Sequence, residues 1–186
     1  MKLINDNLKK AGIFNSVLIV IAIVLRLIPL KSVPTLVKVD SIICIVALIY
    51  GLIYALYGYK KEASKYYKTF MYLYLLSSII SFATVLDFAV DILGKIGILM
   101  IIANAIILVS VFLLAFIKDF GEKKSNNFAL LVFALNIFKL LFDLIIIGSS
   151  IELANISAGF SNIMLSCILC LFVSAKYADK SSRGAK

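Results

Sequence analysis

The sequence predicts an all-α, polytopic integral membrane protein with six transmembrane helices, and three observations support this fold class. The chain of 186 residues is 63% hydrophobic and has a mean hydropathy of +1.08, whereas soluble globular domains are about 45–50% apolar. Its apolar residues occur in runs of about 20, the length that a helix needs to cross a bilayer. Lysine and arginine are concentrated in alternate connections between these runs, as the positive-inside rule requires.

The expected spans fill nearly the whole chain, so residues 1–186 are expected to form a single transmembrane bundle without a soluble domain. Pro29 and Pro34 flank the end of the first span, where a residue without an N–H suits a chain that leaves the helix. The expected spans are Ile13–Leu30, Ser41–Tyr59, Thr69–Leu86, Ile96–Ile117, Phe128–Ile147 and Ile156–Ala175.

The basic residues predict the orientation of the chain. The side that holds both termini carries Lys2, Lys9, Lys10, Lys60, Lys61, Lys65, Lys68, Lys118, Lys123, Lys124, Lys176, Lys180, Arg183 and Lys186. The other side carries only Lys31, Lys38 and Lys95, together with Asp40, Asp87, Asp91 and Glu152. Cytoplasmic loops are the ones enriched in Lys and Arg. We therefore expect a multi-pass protein of the cell membrane with both termini in the cytoplasm, N-in and C-in.

The chain can also be divided into three helical hairpins of similar length. Lys60, Lys118 and Lys176 recur at equal intervals, and each follows an even-numbered span. Three equivalent hairpins would indicate an internal repeat. Any evenly spaced six-span protein that obeys the positive-inside rule would place cations in the same way, so both interpretations stay open.

Tyrosines crowd the ends of the second and third spans on the basic side. An aromatic ring with a hydroxyl suits the level of the lipid head groups, so we interpret these residues as interfacial anchors. A tyrosine-lined site at the cytoplasmic face is the alternative. The residues are Tyr57, Tyr59, Tyr66, Tyr67, Tyr72 and Tyr74.

Three charged residues lie inside expected spans. Each costs about 2.5–3.5 kcal/mol on insertion scales, so each needs a structural or functional reason. Arg26 lies in the outer third of the first span, and Lys139 and Asp143 lie in the fifth. Residues four positions apart share a helix face, so Lys139 and Asp143 can pair with each other.

Most other polar residues of the spans fall at the same depth, between the midplane and the outer surface. Polar groups in hydrocarbon contact one another or line a water-filled cavity. We therefore expect an outward-facing polar pocket that binds a solute or an ion. In the competing interpretation these side chains only cross-link helices. The expected ligand-binding residues are Arg26, Asp87, Asn104, Asn136, Lys139, Asp143 and Asn162.

Other polar motifs are given structural interpretations. Asp87, Asp91 and Lys95 recur every fourth residue and are expected to lie in a solvated outer loop rather than on a charged helical edge. Cys167 and Cys170 form a C-x-x-C deep in an apolar stretch, where cysteine serves as a small packing residue. The chain has no histidine and no recognisable catalytic or phosphate-binding motif. We therefore expect no enzyme activity, no metal site and no cofactor.

The expected function is the binding or transport of a small molecule or ion. The net charge of +9 lies in clusters between apolar runs, so we expect no nucleic acid partner. The alternative is a non-catalytic accessory, immunity or assembly subunit of a larger membrane complex, or a pore-forming oligomer. Its basic loops would then bind a cytoplasmic partner subunit or anionic lipid.

The bias toward Lys, Ile, Leu and Asn, with no Trp, is typical of AT-rich bacterial genomes.

In size and layout the six spans resemble the substrate-binding subunits of energy-coupling-factor transporters. Those proteins dock through an Ala-rich first helix with a small-xxx-small face, which Ile13–Leu30 lacks. The likeness therefore implies a common architecture and not membership of that family.

Overall fold

The computed structural model describes residues 2–28, 35–57, 59, 63–92, 94–117, 120–146 and 153–184. Side chains are described within these ranges except at 2–9, 87–92, 94–96, 146, 154 and 178–184. The expectation of an all-helical chain is confirmed, and six helices are each long and apolar enough to cross a membrane. They are α1 (Lys2–Leu27), α2 (Thr35–Leu56), α3 (Ser64–Ile92), α4 (Gly94–Phe116), α5 (Glu122–Ile146) and α6 (Leu153–Gly184).

The helices form a closed ring. Each helix packs against the next one along the chain, and α6 packs back against α1. The short connections make successive helices antiparallel. We call the end of the ring where α1 begins and α2 joins α3 the basic end, and we call the other the opposite end.

Serine side chains stabilise the contact between α6 and α1 that closes the ring. Ser161 on α6 donates a hydrogen bond to the backbone carbonyl of Ala22 on α1 at 3.2 Å, and Ser157 donates to the carbonyl of Leu25. Serine at a helix interface permits close approach and supplies an interhelical hydrogen bond. These bonds fix the register of α1 against α6, which positions the polar residues described below.

A cluster of five buried aromatic residues fills the ring toward its basic end. The ring of Phe172 on α6 lies 5.0 Å from that of Phe70 and 5.1 Å from that of Tyr54, between centroids. Tyr59 and Tyr67 complete this aromatic cluster around Phe172. The rings meet at steep angles, the edge-to-face geometry that aromatic pairs prefer.

The interpretation of the tyrosines as interfacial anchors is wrong for three of them. Tyr59, Tyr67 and Tyr74 are buried inside the ring, whereas Tyr57 and Tyr72 are about half exposed. Tyr59 has a positive φ of 60°, which a non-glycine residue adopts rarely. Its buried ring and a hydrogen bond from Asn15 at 3.1 Å hold this conformation.

Two expectations that place acidic residues in loops are also wrong. Helix α2 begins at Thr35 rather than Ser41, so Asp40 lies within a helix instead of a loop. Helix α3 continues to Ile92, so Asp87 and Asp91 are helical rather than part of a solvated loop. In α2 the helix accommodates the charge of Asp40 through an ion pair with Arg26. Pro29 and Pro34 lie outside the described residues.

The glycines provide a test of helix packing. A Cβ on Gly12 of α1 would lie 2.8 Å from the backbone oxygen of Ala55 on α2, whereas one on Gly159 of α6 would meet the end of the Leu140 side chain at 2.6 Å. We expect Gly12→Ala to destabilise the protein by about 1–3 kcal/mol, because backbone cannot move aside. Thermal unfolding in detergent, followed by circular dichroism, measures the effect.

Gly159→Ala is the matched control. Leu140 can change rotamer, and alanine is favoured over glycine in a helix by about 1 kcal/mol, so this variant should unfold within a few degrees of the wild type. Equal losses of stability in the two variants would contradict the close contact of α1 with α2.

Candidate functional site

Arg26 lies near the end of α1 and, among the side chains that the structure describes, is the largest polar one that is fully buried, with 1% of its surface exposed. Its Nη1 donates to Oδ2 of Asp40 on α2 at 3.1 Å. Its Nη2 donates to Oδ1 of Asn162 on α6. A buried charge is tolerated only with an opposite charge and further hydrogen bonds. Three helices therefore meet at this guanidinium.

The carboxylate of Asp40 also accepts a hydrogen bond from helix α3. Ser77 on α3 donates to its Oδ1 at 2.5 Å, while Oδ2 accepts from Arg26. The thiol of Cys44 lies 3.9 Å from the same Oδ1 and 3.0 Å from the Ser77 hydroxyl. Both carboxylate oxygens thus have donors, and α3 joins the network. We call Arg26, Asp40, Ser77 and Asn162 the arginine network.

A second network surrounds Lys139 on α5. Its Nζ donates to Oδ1 of Asn104 on α4 at 2.6 Å, and Ser81 on α3 donates to the same oxygen at 3.3 Å. The Asn104 amide nitrogen donates to the carbonyl of Met100 at 2.8 Å, which fixes the side chain. Lys139, Asn104 and Ser81 form what we call the lysine network.

A cavity of about 20 Å³ separates the two networks. Helix α3 contributes Tyr74, Ser77, Ser78 and Ser81 to its wall. The other helices contribute Asn104, Ile107, Asn136, Lys139 and Asn162. The volume suffices for on the order of one water molecule. Through Asn162 and Ser77 the arginine network forms part of the wall, so all six helices support the cavity.

The cavity lies away from the aromatic cluster. Asn162 precedes Phe172 on α6 by about 15 Å, at a rise of about 1.5 Å per residue. On α3 the order is Phe70, Tyr74 and then Ser77 from the basic end toward the opposite end. Aromatic side chains therefore fill the ring on the basic side of the cavity.

The expected ligand-binding residues are distributed as follows. Asn104, Asn136 and Lys139 line the cavity together with Asn162, and Arg26 lies directly behind Asn162. Asp143 is half-buried one turn beyond Lys139 and does not line the cavity; among the described ion pairs none joins it to Lys139. Asp87 lies in α3, but its side chain is outside the described part of the chain.

The expected ligand-binding residues do not include Asp40, Tyr74, Ser77 and Ser78. The sequence predicts that Asp40 lies in a loop, outside the spans. The α3 residues carry a signal that was available, because Tyr67, Phe70, Tyr74, Ser77 and Ser81 repeat every three or four positions and so share one helix face. That face changes from aromatic to hydroxyl-bearing along the helix.

The cavity wall can bind by hydrogen bonding and by the charge of Lys139. Hydroxyl and amide groups without a neighbouring general base have little capacity for acid–base chemistry. No group of three or more His, Cys, Asp or Glu residues able to hold a metal ion occurs in the described part of the chain. The three cysteines are free thiols, and Cys44 serves as a hydrogen-bonding neighbour of Asp40.

Removing one partner of the Arg26–Asp40 pair should be more costly than an equivalent change at Asp143. Asp40→Asn leaves a buried guanidinium without its counter-charge, which typically costs about 3–5 kcal/mol. Asp143→Asn removes a half-buried carboxylate outside that pair and should cost clearly less. Unfolding midpoints in detergent measure both, and Arg26→Gln combined with Asp40→Asn should recover part of the loss. Equal effects at the two aspartates would contradict the network.

Comparisons with models of protein families, with curated proteins and with solved structures give no match for this chain. Function is therefore inferred from the residues and the geometry described above.

Proposed function

We propose that the chain is a six-span membrane protein, N-in and C-in, that binds a small solute or ion in the cavity between the arginine and lysine networks. The cavity is proposed to face outward, and binding there to serve uptake or transport. The observation that carries the proposal is the cavity itself, a space with a polar lining that all six helices of an apolar ring support.

Exposed apolar side chains support insertion in a membrane. Large hydrophobic residues point away from the ring on every helix and are up to 77% exposed, as at Ile145. In water such surfaces would be an aggregation hazard, whereas lipid covers them without cost. Representative residues on successive helices are Ile13, Leu56, Ile79, Val109, Ile145 and Leu153.

The polar interior supports ligand binding over a purely structural role. If the side chains served only to cross-link helices, their hydrogen-bonding groups would be satisfied by one another. The buried hydroxyl of Tyr74 makes no hydrogen bond of good geometry within the described part of the chain. The amide nitrogen of Asn162 and two N–H groups of Lys139 have none either. These groups line the cavity and are free for a ligand.

The aromatic cluster supports the outward direction of access. Five packed rings fill the basic side of the bundle, and under the positive-inside rule that side faces the cytoplasm. A solute would therefore enter from the opposite end, and movement of Phe172 would be needed to release it inward.

Single cysteines at exposed positions test the proposed topology. Ser64 and Thr35 are exposed and lie at the basic and opposite ends respectively. In intact cells a membrane-impermeant maleimide should label Thr35→Cys, whereas Ser64→Cys should react only after the cells are opened. The wild-type chain, whose cysteines are buried or half-buried, supplies the background. Reversed labelling would contradict the N-in, C-in orientation.

Ligand retention tests the cavity. The tagged chain is purified in mild detergent from its native membrane, and co-purifying small molecules and proteins are identified by mass spectrometry. We expect a stoichiometric small molecule or ion that Lys139→Gln releases and Lys68→Gln retains, because Lys68 is exposed outside the cavity. Recovery of a partner subunit alone, with identical small-molecule content in all variants, would instead favour an accessory or assembly subunit.

A further inference from the structure

We propose that the cavity binds a small monovalent inorganic anion of about the size of chloride, with the Lys139 ammonium as its counter-charge. The inference rests on the proposed function and names the class of ligand. It follows from three features of the cavity wall: its charge, its free hydrogen-bond donors and its volume.

Lys139 is the only charged residue in the described wall of the cavity. Asp40, a buried carboxylate, has one oxygen bonded to Arg26 and the other to Ser77, so the arginine network neutralises itself. Asp143 does not line the cavity. Asp143, one turn away, attracts the Lys139 ammonium from outside the wall. Within the described wall the space therefore faces one cation and no carboxylate, which favours an anion and disfavours Na⁺ or a protonated amine.

The groups left free at the wall are mainly donors. Lys139 uses one of its three N–H groups on Asn104, and Asn162 has its oxygen engaged by Arg26, which leaves its amide N–H groups available. The hydroxyl of Tyr74, a residue that is 4% exposed, has no hydrogen bond of good geometry within the described chain. The amide nitrogen of Asn136 spends one of its two N–H groups on the Val132 carbonyl.

The serine hydroxyls do not compete for the same role. Ser77 donates to Asp40, Ser78 to the Tyr74 carbonyl and Ser81 to Asn104. Their protons are committed, so the ligand must accept hydrogen bonds from Lys139, Tyr74 and the amides. A halide accepts from several directions at once, and hydrogen bonds to a charged partner are the strong ones.

The volume restricts the ligand further. About 20 Å³ accommodates on the order of one water molecule, and a halide ion is of similar size. A sugar, an amino acid or a vitamin would require the ring to open. Chloride or nitrate requires little change in the surrounding helices.

Binding of radioactive chloride to the purified protein in detergent tests the proposal. We expect one saturable site per chain, with competition by bromide and nitrate and none by gluconate, which is too large for the cavity. Lys139→Gln should weaken binding about tenfold or more, the equivalent of one hydrogen bond to a charged group. Lys68→Gln, on the exposed surface, should bind as the wild type does.

Tyr74→Phe provides a second variant that should fold normally, because the buried hydroxyl that it removes makes no hydrogen bond of good geometry in the described part of the chain. It should weaken chloride binding several-fold, whereas Tyr72→Phe, at a half-exposed tyrosine on the same helix, should have no effect. Asp143→Asn should tighten binding, because it removes a carboxylate that attracts the Lys139 ammonium from one turn away.

Saturable chloride binding with these variant effects supports the proposal. Wild-type protein without saturable chloride binding, or binding that follows the sodium ion instead, would overturn it. If an organic solute is retained and is released by Lys139→Gln while chloride does not bind, the cavity keeps its proposed function and only the anion assignment fails. If neither chloride nor any co-purified molecule depends on Lys139, both fail.

Discussion

Arg26 is a permanent positive charge that the bundle has to enclose, and much of the interior is organised around this requirement. A guanidinium in an apolar interior is costly unless a counter-charge and hydrogen-bond acceptors surround it. Asp40 provides the negative charge, and Asn162 provides a second hydrogen-bond acceptor. Ser77 donates a hydrogen bond to the other carboxylate oxygen of Asp40. The four residues come from four helices, so satisfying one side chain fixes the register of α1, α2, α3 and α6 together.

The two buried cations, Arg26 and Lys139, differ in how their charge is balanced. Arg26 is neutralised locally and acts as a structural tie. Lys139 is hydrogen-bonded to a neutral amide, Asn104, makes no direct ion pair among the described residues, and contributes the one charge of the described cavity wall. The proposal of an anion ligand depends on this difference, because two similarly paired cations would leave the cavity without a net charge.

The sequence contains enough information to predict the helices and part of the site. Arg26, Lys139 and the asparagines are conspicuous because each is polar within an apolar run, and their depths can be counted along the helices. Asp40 could not be found in this way, since Lys38 and the preceding prolines make its surroundings resemble a loop. The i, i+4 spacing of Lys139 and Asp143 predicts a direct pair. In the structure the Lys139 ammonium instead donates its hydrogen bond to Asn104 on another helix. Such a contact depends on the ring closure, which no local pattern encodes.

Closure of the ring by α1 and α6 has a consequence for biosynthesis. Asn162 lies 136 residues after Arg26 in the chain, and at 5–20 residues per second a ribosome needs on the order of ten seconds to make that length. During this interval Arg26 and Asp40, which are close in sequence, can pair within the first hairpin. In this nascent hairpin the side of Arg26 that contacts α6 in the folded protein has no partner yet. Until α6 is made, Nη2 of Arg26 therefore lacks its acceptor on Asn162.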